Sequence, residues 1–303
     1  MPSAPFSIVD AATWETFSQH YRDWLPNQPH LEWHLAGVLA WVNQAKGSMV
    51  RAQLILAIME NAPQEQALRC AVAVEYFHTA SLLLDDLPCM DQAQERRGLV
   101  CAHLQYGESA AILGALALIN RAYGLLWQSM ANLKPAQATL AAKVIERSLG
   151  TAGLLQGQAI DLHFAQTNQT ALQVTRAAMG KTVPLIRMAV VLPLILVNAT
   201  STQVQEAEKL STLWGLAYQV MDDIKDVSGD FDGKTGFRDE MLGRPNFALA
   251  TSIPQAWHRF LRLLFHANRI LTNPALNANL SCLKQLQDYL NLRAQTLYAT
   301  KAA

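Results

Sequence analysis

Apolar positions along this chain recur every three or four residues rather than every second one, and the segments that carry this period are long and rich in Ala, Leu and Gln. The clearest runs are 66–84, 108–127, 136–162 and 203–227, each read as an amphipathic or buried helix. No Val/Ile/Thr-rich run bounded by hairpin signals competes with them. Breaks marked by Pro, Gly and Asn fall at 26–29, 61–63, 87–98, 134–135 and 229–245. The pattern predicts about ten helices joined by short loops, with no Ser/Gly linker long enough to separate domains. An all-α fold is therefore expected, a single large helical bundle over residues 1–303.

Composition adds scale and removes some classes of function. The chain has 303 residues, 51% of them apolar, enough for a large core. Lys+Arg and Asp+Glu balance at 24 each, so no global field draws nucleic acid or an acidic surface. An anionic substrate must then be met locally. Cys70, Cys89, Cys101 and Cys282 show no CxxC spacing, which suits a reducing compartment. The first residues do not read as a signal peptide. The longest apolar run, 188–199, is shorter than the ~20 residues of a span, and Pro193 interrupts it. A soluble, cytoplasmic protein is expected.

Against only 16% charged residues, two acidic clusters stand out. In the first, an apolar helix delivers Asp85 and Asp86, and Pro88 bends the chain before Asp91. The second holds Asp222, Asp223 and Asp226, with Asp222 and Asp226 four apart on one helix face. Like charges at the end of an apolar helix repel unless cations offset them, and carboxylate oxygens are what Mg²⁺ prefers. One such pair is an ordinary helix-end feature; two, each behind an apolar run, point to metal sites. Arg96 and Arg97 follow the first cluster, Lys181-Thr182 is read as opening an apolar helix, and Lys234 follows the second cluster. Carboxylates for Mg²⁺ beside Arg and Lys for phosphate oxygens suit a polyphosphate. Two metal-like patterns are weaker. Glu75-Tyr-Phe-His78 is an ExxH without a second copy, and His30 and His34 flanking Glu32 fit a solvated helix face better than zinc.

These residues, in this order, resemble the trans-isoprenyl diphosphate synthase (polyprenyl synthetase) family over nearly the whole chain. The matching blocks are His78 to Asp91, Arg96-Arg97-Gly98, His103 with Gly107-Glu108, and Gly157-Gln158-x-x-Asp161. Further on come Lys181-Thr182, Tyr218-Gln219-x-x-Asp222-Asp223-x-x-Asp226, Gly233-Lys234 and Gly243-Arg244-Pro245-Asn246. The resemblance implies an antiparallel helical bundle around a deep central cavity, usually dimeric. Asp85, Asp86, Asp91, Asp222, Asp223 and Asp226 would hold about three Mg²⁺ ions on an allylic diphosphate. Arg96, Lys181, Thr182, Gln219 and Lys234 would bind that substrate, with Asp85, Asp86, Asp222 and Lys181 central to ionising it. Arg51, His78 and Arg97 would hold isopentenyl diphosphate. Phe77, Ala80 and Ser81, on the turns before Asp85, would floor the cavity. Small Ala80 and Ser81 above a bulky Phe77 imply a geranylgeranyl (C20) product, with C15 the nearest alternative.

One departure bears on the second substrate. The family's Gly-Gly-Lys-Arg-x-Arg-Pro stretch is here Lys46-Gly-Ser-Met-Val-Arg51-Ala52, with Arg51 kept and Ser48 at the lysine position. Two smaller departures, Leu116 and Gln92-Ala93-Gln94, remove no metal ligand. A class I terpene cyclase on the same scaffold is the alternative enzyme, because it needs no second diphosphate. A non-catalytic subunit of a heteromeric synthase is the binding-protein alternative.

Overall fold

The computed structural model describes residues 7–45, 47–164, 170–228, 238–273, 276 and 281–302. It is helical throughout apart from one two-residue strand pair. The chain divides into two compact units, Met1–Lys134 and Pro135–Ala303.

In the first unit, α1 (Ala11–Asp23), α2 (Trp33–Gln44), α3 (Val50–Ile58) and α4 (Gln64–Asp85) precede the hairpin of β1 (Glu95–Arg96) and β2 (Leu99–Val100). Then follow α5 (Ala102–Tyr106) and α6 (Glu108–Met130). Helix α4 is apolar all round, with Ala67, Ala71, Val72, Ala73 and Ala80 among its buried residues, so it lies at the centre of this unit against α6, α3 and α1. Tyr21, Tyr76 and Phe17 are the unit's largest fully buried side chains. Tyr76 donates to the Tyr21 carbonyl at 2.7 Å, which satisfies a hydroxyl that the apolar surroundings would otherwise strand.

In the second unit come α7 (Pro135–Leu149), α8 (Leu154–Leu162), α9 (Ala171–Lys181), α10 (Val183–Leu196) and α11 (Ser201–Val227). They are followed by α12 (Arg238–Leu242), α13 (Phe247–Ala250), α14 (Ile253–Leu271) and α15 (Ser281–Ala302). Its core joins α11 to α14, with Val183, Leu216, Val220, Phe247, Phe260 and Leu264 in one cluster. Thr170 and Thr200 start α9 and α11 with full capping boxes to Gln173 and Gln203.

Four expectations need correction. The run read as one helix over 136–162 is two, because the chain turns at Gly150–Gly153. A Cβ at Gly153 would lie 2.3 Å from the Ser148 carbonyl. Fifteen helices, several of a single turn, replace the expected ten among the described residues. Lys181 does not open a helix; it closes α9, and α10 departs from it at a 47° bend with Thr182 between. Helices α4 and α6 are each long and apolar enough to cross a bilayer, which a search for uninterrupted apolar runs misses because Glu75, His78 and Asn120 punctuate them. Most of the α4 stretch is buried inside the protein.

Candidate active site

The first acidic centre is built by the end of α4 and the loop that folds back on it. Asp85 is the last residue of α4 and Asp86 its C-cap. The loop reverses at Gln92, whose φ of 50° lies in the left-handed region. The Asp91 N–H then donates to the Asp85 carbonyl at 2.9 Å and the Ala93 N–H to the Asp86 carbonyl at 3.1 Å. Asp85 and Asp91, remote in the linear motif, are thus adjacent. The hairpin follows, with Arg97 (φ 56°) and Gly98 (φ 77°) as its two turn residues, the positive-φ pair that a two-residue hairpin loop requires. Trp41 of α2 fixes it by donating to the Val100 carbonyl at 2.9 Å.

That hairpin aims Arg96 at Asp86. Arg96 Nε lies 3.0 and 3.3 Å from the two Asp86 oxygens, and Nη2 donates to Oδ1 as well. The Asp86 side chain is 2% exposed, so its charge is matched inside the protein. Burial alone would lower the Arg96 pKa, but the Asp86 hydrogen bonds and charge leave it raised.

Beside this pair sits a group of cations. His78 is held well below its ordinary pKa, first by burial and then by the positive charges of Arg51, Arg97 and Arg96. It is a neutral imidazole among three guanidinium groups. Arg51 Nε is buried without a hydrogen-bond partner. Arg97 Nη1 donates to the Ala45 carbonyl at 2.6 Å, and a Cβ on Gly47 would come within 2.5 Å of its guanidinium. Beneath them Glu75 is 2% exposed and accepts from the Ala52 N–H at 3.1 Å. Burial raises its pKa even against Arg51 and Arg97. Glu75 therefore serves this basic group and the start of α3 rather than a metal. A stranded guanidinium donor among like charges is the arrangement that a polyanion completes.

The second acidic centre lies on α11. Asp222 is exposed and Asp226 half-buried on one face, while Asp223 is fully buried on another. Gln219 Nε2 donates to Asp223 Oδ1 at 2.8 Å and the Phe247 N–H to Oδ2 at 2.7 Å. Burial still pushes the Asp223 pKa well above the carboxylate range, with Asp239 and Asp222 adding to the rise. Gln219 in turn accepts from the Thr182 hydroxyl. Asn246 ties the far side together, donating to the Asp223 carbonyl at 3.1 Å and to Asp239 Oδ2 at 2.9 Å while capping α13.

Lys181 reaches the Asp161 carboxylate at 2.7 Å, and Arg244 donates to the Asp161 carbonyl at 3.2 Å. The contact depends on α8 and α9 crossing at Gly157 and Gly180, where a Cβ on Gly157 would lie 2.0 Å from the Gly180 backbone. Only glycine fits there.

Asp239 joins the second centre without standing out in the sequence. Its N–H donates to Asp226 Oδ2 at 3.1 Å, and its pKa is pushed up to about 7, chiefly by burial and then by Asp226 and Asp222. Its signal in the sequence is slight, one acid among mixed charges in an irregular stretch. Tyr123 is equally inconspicuous there, yet its ring meets Phe77 edge-on at 5.0 Å. Phe77 and Ala80 are buried, and the Ser81 hydroxyl is turned back onto the His78 carbonyl at 2.8 Å. Lys46 and Lys234 lie outside the described residues. Around Glu32, one carboxylate oxygen caps α2 through the His34 and Leu35 N–H groups and the other meets His34 Nδ1 at 2.7 Å.

Among the described residues no three His, Cys, Asp or Glu side chains form a complete metal cage. The donor set still suits Mg²⁺, which is commonly held by one or two carboxylates together with substrate phosphates. Asp85 with Asp91 and Asp222 with Asp226 are such pairs, while Asp86 and Asp223 are buried against Arg96 and against Gln219 and the Phe247 N–H.

The family model for polyprenyl synthetase matches residues 33–267. The chain belongs to the polyprenyl synthetase family. The chain is 34% identical over 217 residues to a chloroplastic geranylgeranyl pyrophosphate synthase of Capsicum annuum, covering 70% of this chain and 59% of that protein. It is 35% identical over 207 residues to the large subunit 2 of a heterodimeric geranylgeranyl pyrophosphate synthase of Arabidopsis thaliana, covering 66% and 54%. The chain thus spans less than two thirds of these relatives' length. In fold it resembles the geranyltransferase of Helicobacter pylori complexed with magnesium and isoprenyl diphosphate, with TM-score 0.76, 25% identity, and 97% and 100% of the two chains covered. The all-α fold expected from the sequence is that of this family.

Proposed function

We propose that this polyprenyl synthetase is a Mg²⁺-dependent prenyltransferase that joins an allylic prenyl diphosphate to isopentenyl diphosphate, with geranylgeranyl diphosphate (C20) as product. The observation that carries the reading is the cation group of Arg51, His78 and Arg97, with its stranded Arg51 donor, beside the first acidic centre. A terpene cyclase has no second diphosphate for it to hold. The loss of the family lysine at Ser48 favours the cyclase, but the Ser48 carbonyl accepts from Gln53 Nε2 at 3.1 Å and steadies the start of α3, where Arg51 sits.

In this reading, Asp85 with Asp91, and Asp222 with Asp226, hold about three Mg²⁺ ions. Bound magnesium would supply positive charge against the diphosphate oxygens as the C–O bond breaks. Lys181, Thr182, Gln219 and Lys234 orient the allylic diphosphate. Arg96 and Asp86 keep the hairpin in register, so that Arg97 grips the second diphosphate with Arg51 and the neutral His78. The apolar wall of α4 keeps water from the allylic tail. Relatives named as geranylgeranyl synthases support the C20 product, as does the depth of the Phe77 and Tyr123 pair: eight residues below Asp85 is about 12 Å on a helix.

A homodimer belongs to the same proposal. Leu113, Leu116 and Trp127 on α6 are 53%, 53% and 67% exposed on one face, an apolar stripe that a second copy would cover. The four cysteines, none in CxxC spacing, fit a cytoplasmic setting. Steady-state kinetics test the second-substrate site. Arg51→Ala and Arg97→Ala should each raise KM for isopentenyl diphosphate roughly 10–100-fold, the worth of a charge-assisted contact of about 1.5–3 kcal/mol, with KM for the allylic substrate little changed. Equal effects on both substrates would move the reading to the cyclase. Product mass tests the floor: Ala80→Phe should shorten the product to C15 or less and Phe77→Ala lengthen it, and an unchanged length in both would place the floor elsewhere.

A further inference from the structure

Helix α14 has a composition unlike the rest of the chain. Over the whole sequence acidic and basic residues balance at 24 each, yet α14 carries Arg259, Arg262, Arg269, His258 and His266 and neither Asp nor Glu. Its inner face packs Trp257, Phe260, Leu263 and Leu264 into the core of the second unit. On the outer face Leu261 and Phe265, one turn apart, are 50% and 61% exposed. His258, Arg262, His266 and Arg269 are exposed on the same side. Leu261 and Phe265 thus form an exposed apolar pair flanked by arginines on this face.

At the C-terminal end of α14 a shallow cavity of about 280 Å³ is lined by His266, Arg269, Ile270, Asn273 and Glu206. Glu206 is paired with Lys209 at 2.7 Å, so it brings little net negative charge. Arg259, whose guanidinium lies over the Phe247 ring at 5.8 Å, has its pKa lowered chiefly by burial and then by Arg262.

We propose that the outer face of α14 docks on an anionic phospholipid bilayer, with Leu261 and Phe265 entering the headgroup boundary and Arg262 and Arg269 meeting lipid phosphates. Exposed apolar side chains flanked by arginines are what such an interface selects. An acidic protein segment would match the arginines but leave the apolar pair unused. The inference is independent of the proposed reaction.

Sedimentation of the full chain with vesicles tests it, using phosphatidylcholine alone or with about 30% phosphatidylserine. The expected result is binding to the anionic vesicles only, weakened by salt. Arg262→Glu with Arg269→Glu should weaken it roughly ten-fold or more. Leu261→Ser with Phe265→Ser should weaken it while keeping the salt dependence. All four positions are exposed, and circular dichroism confirms that the variants fold. No binding to anionic vesicles, equal binding to neutral ones, or binding unaltered by the charge reversal would overturn the proposal.

Discussion

The two acidic centres use the same paired aspartates but neutralise them differently. In each, one aspartate turns into the protein, yet Asp86 meets a guanidinium while Asp223, among the described residues, meets neutral donors, the Gln219 amide and the Phe247 N–H. Asp86 therefore sits in a matched ion pair. Burial keeps Asp223 under pressure to hold a proton, and Asp239 and Asp222 add charge of the same sign. The inward aspartate of the first centre thus has an arginine against it, whereas that of the second has none among the described residues.

The largest effect should come from removing a carboxylate that faces outward in either centre. Asp85→Ala and Asp222→Ala are each expected to lower turnover by roughly 10²–10³-fold or more with helicity unchanged, because charge on the leaving group goes unmatched. A near-normal rate in either variant with Mg²⁺ would undo the metal assignment.

Next come the two inward aspartates. Arg96→Ala leaves Asp86 buried without a counter-charge and should destabilise by about 3 kcal/mol or more. Gln219→Ala removes one neutral donor from Asp223, worth about 1–2 kcal/mol. Thermal unfolding without ligand orders the pair, and a larger loss in Gln219→Ala would reverse the comparison.

The smallest effect is a pH dependence in the second centre. The Asp239 pKa is raised from an ordinary 3.8 to about 7, so between those values the folded protein holds a proton that the unfolded chain has released. Its contribution to stability is present at low pH and is lost as pH rises through about 7. Without divalent cations, Asp239→Asn should gain Tm relative to the unmodified protein as pH rises from 4 to 8. A constant difference across that range would show that Asp239 ionises normally.

Much of this arrangement is legible in the amino-acid sequence. The helical period gives the fold class, and the i, i+4 spacing of Asp222 and Asp226 puts them on one face, as observed. Local periodicity does not tell which aspartate of each pair turns inward. Asp86 is claimed by an arginine delivered through a hairpin whose turn puts the non-glycine Arg97 at positive φ, and Asp223 by a backbone N–H arriving from Phe247, 24 residues later. Helix ends are hidden in the same way: the turn at Gly150–Gly153 and the crossing of Gly157 with Gly180 depend on backbone approach between elements, which a helical pattern running through those glycines does not reveal.

The central claim, elongation with a second diphosphate, is tested most directly by product mass after incubation with Mg²⁺ and each allylic diphosphate, with and without isopentenyl diphosphate. The account predicts products longer by five-carbon units, C20 the main one, formed only when isopentenyl diphosphate is present. A cyclised hydrocarbon from the allylic diphosphate alone, or no product under either condition, would contradict it.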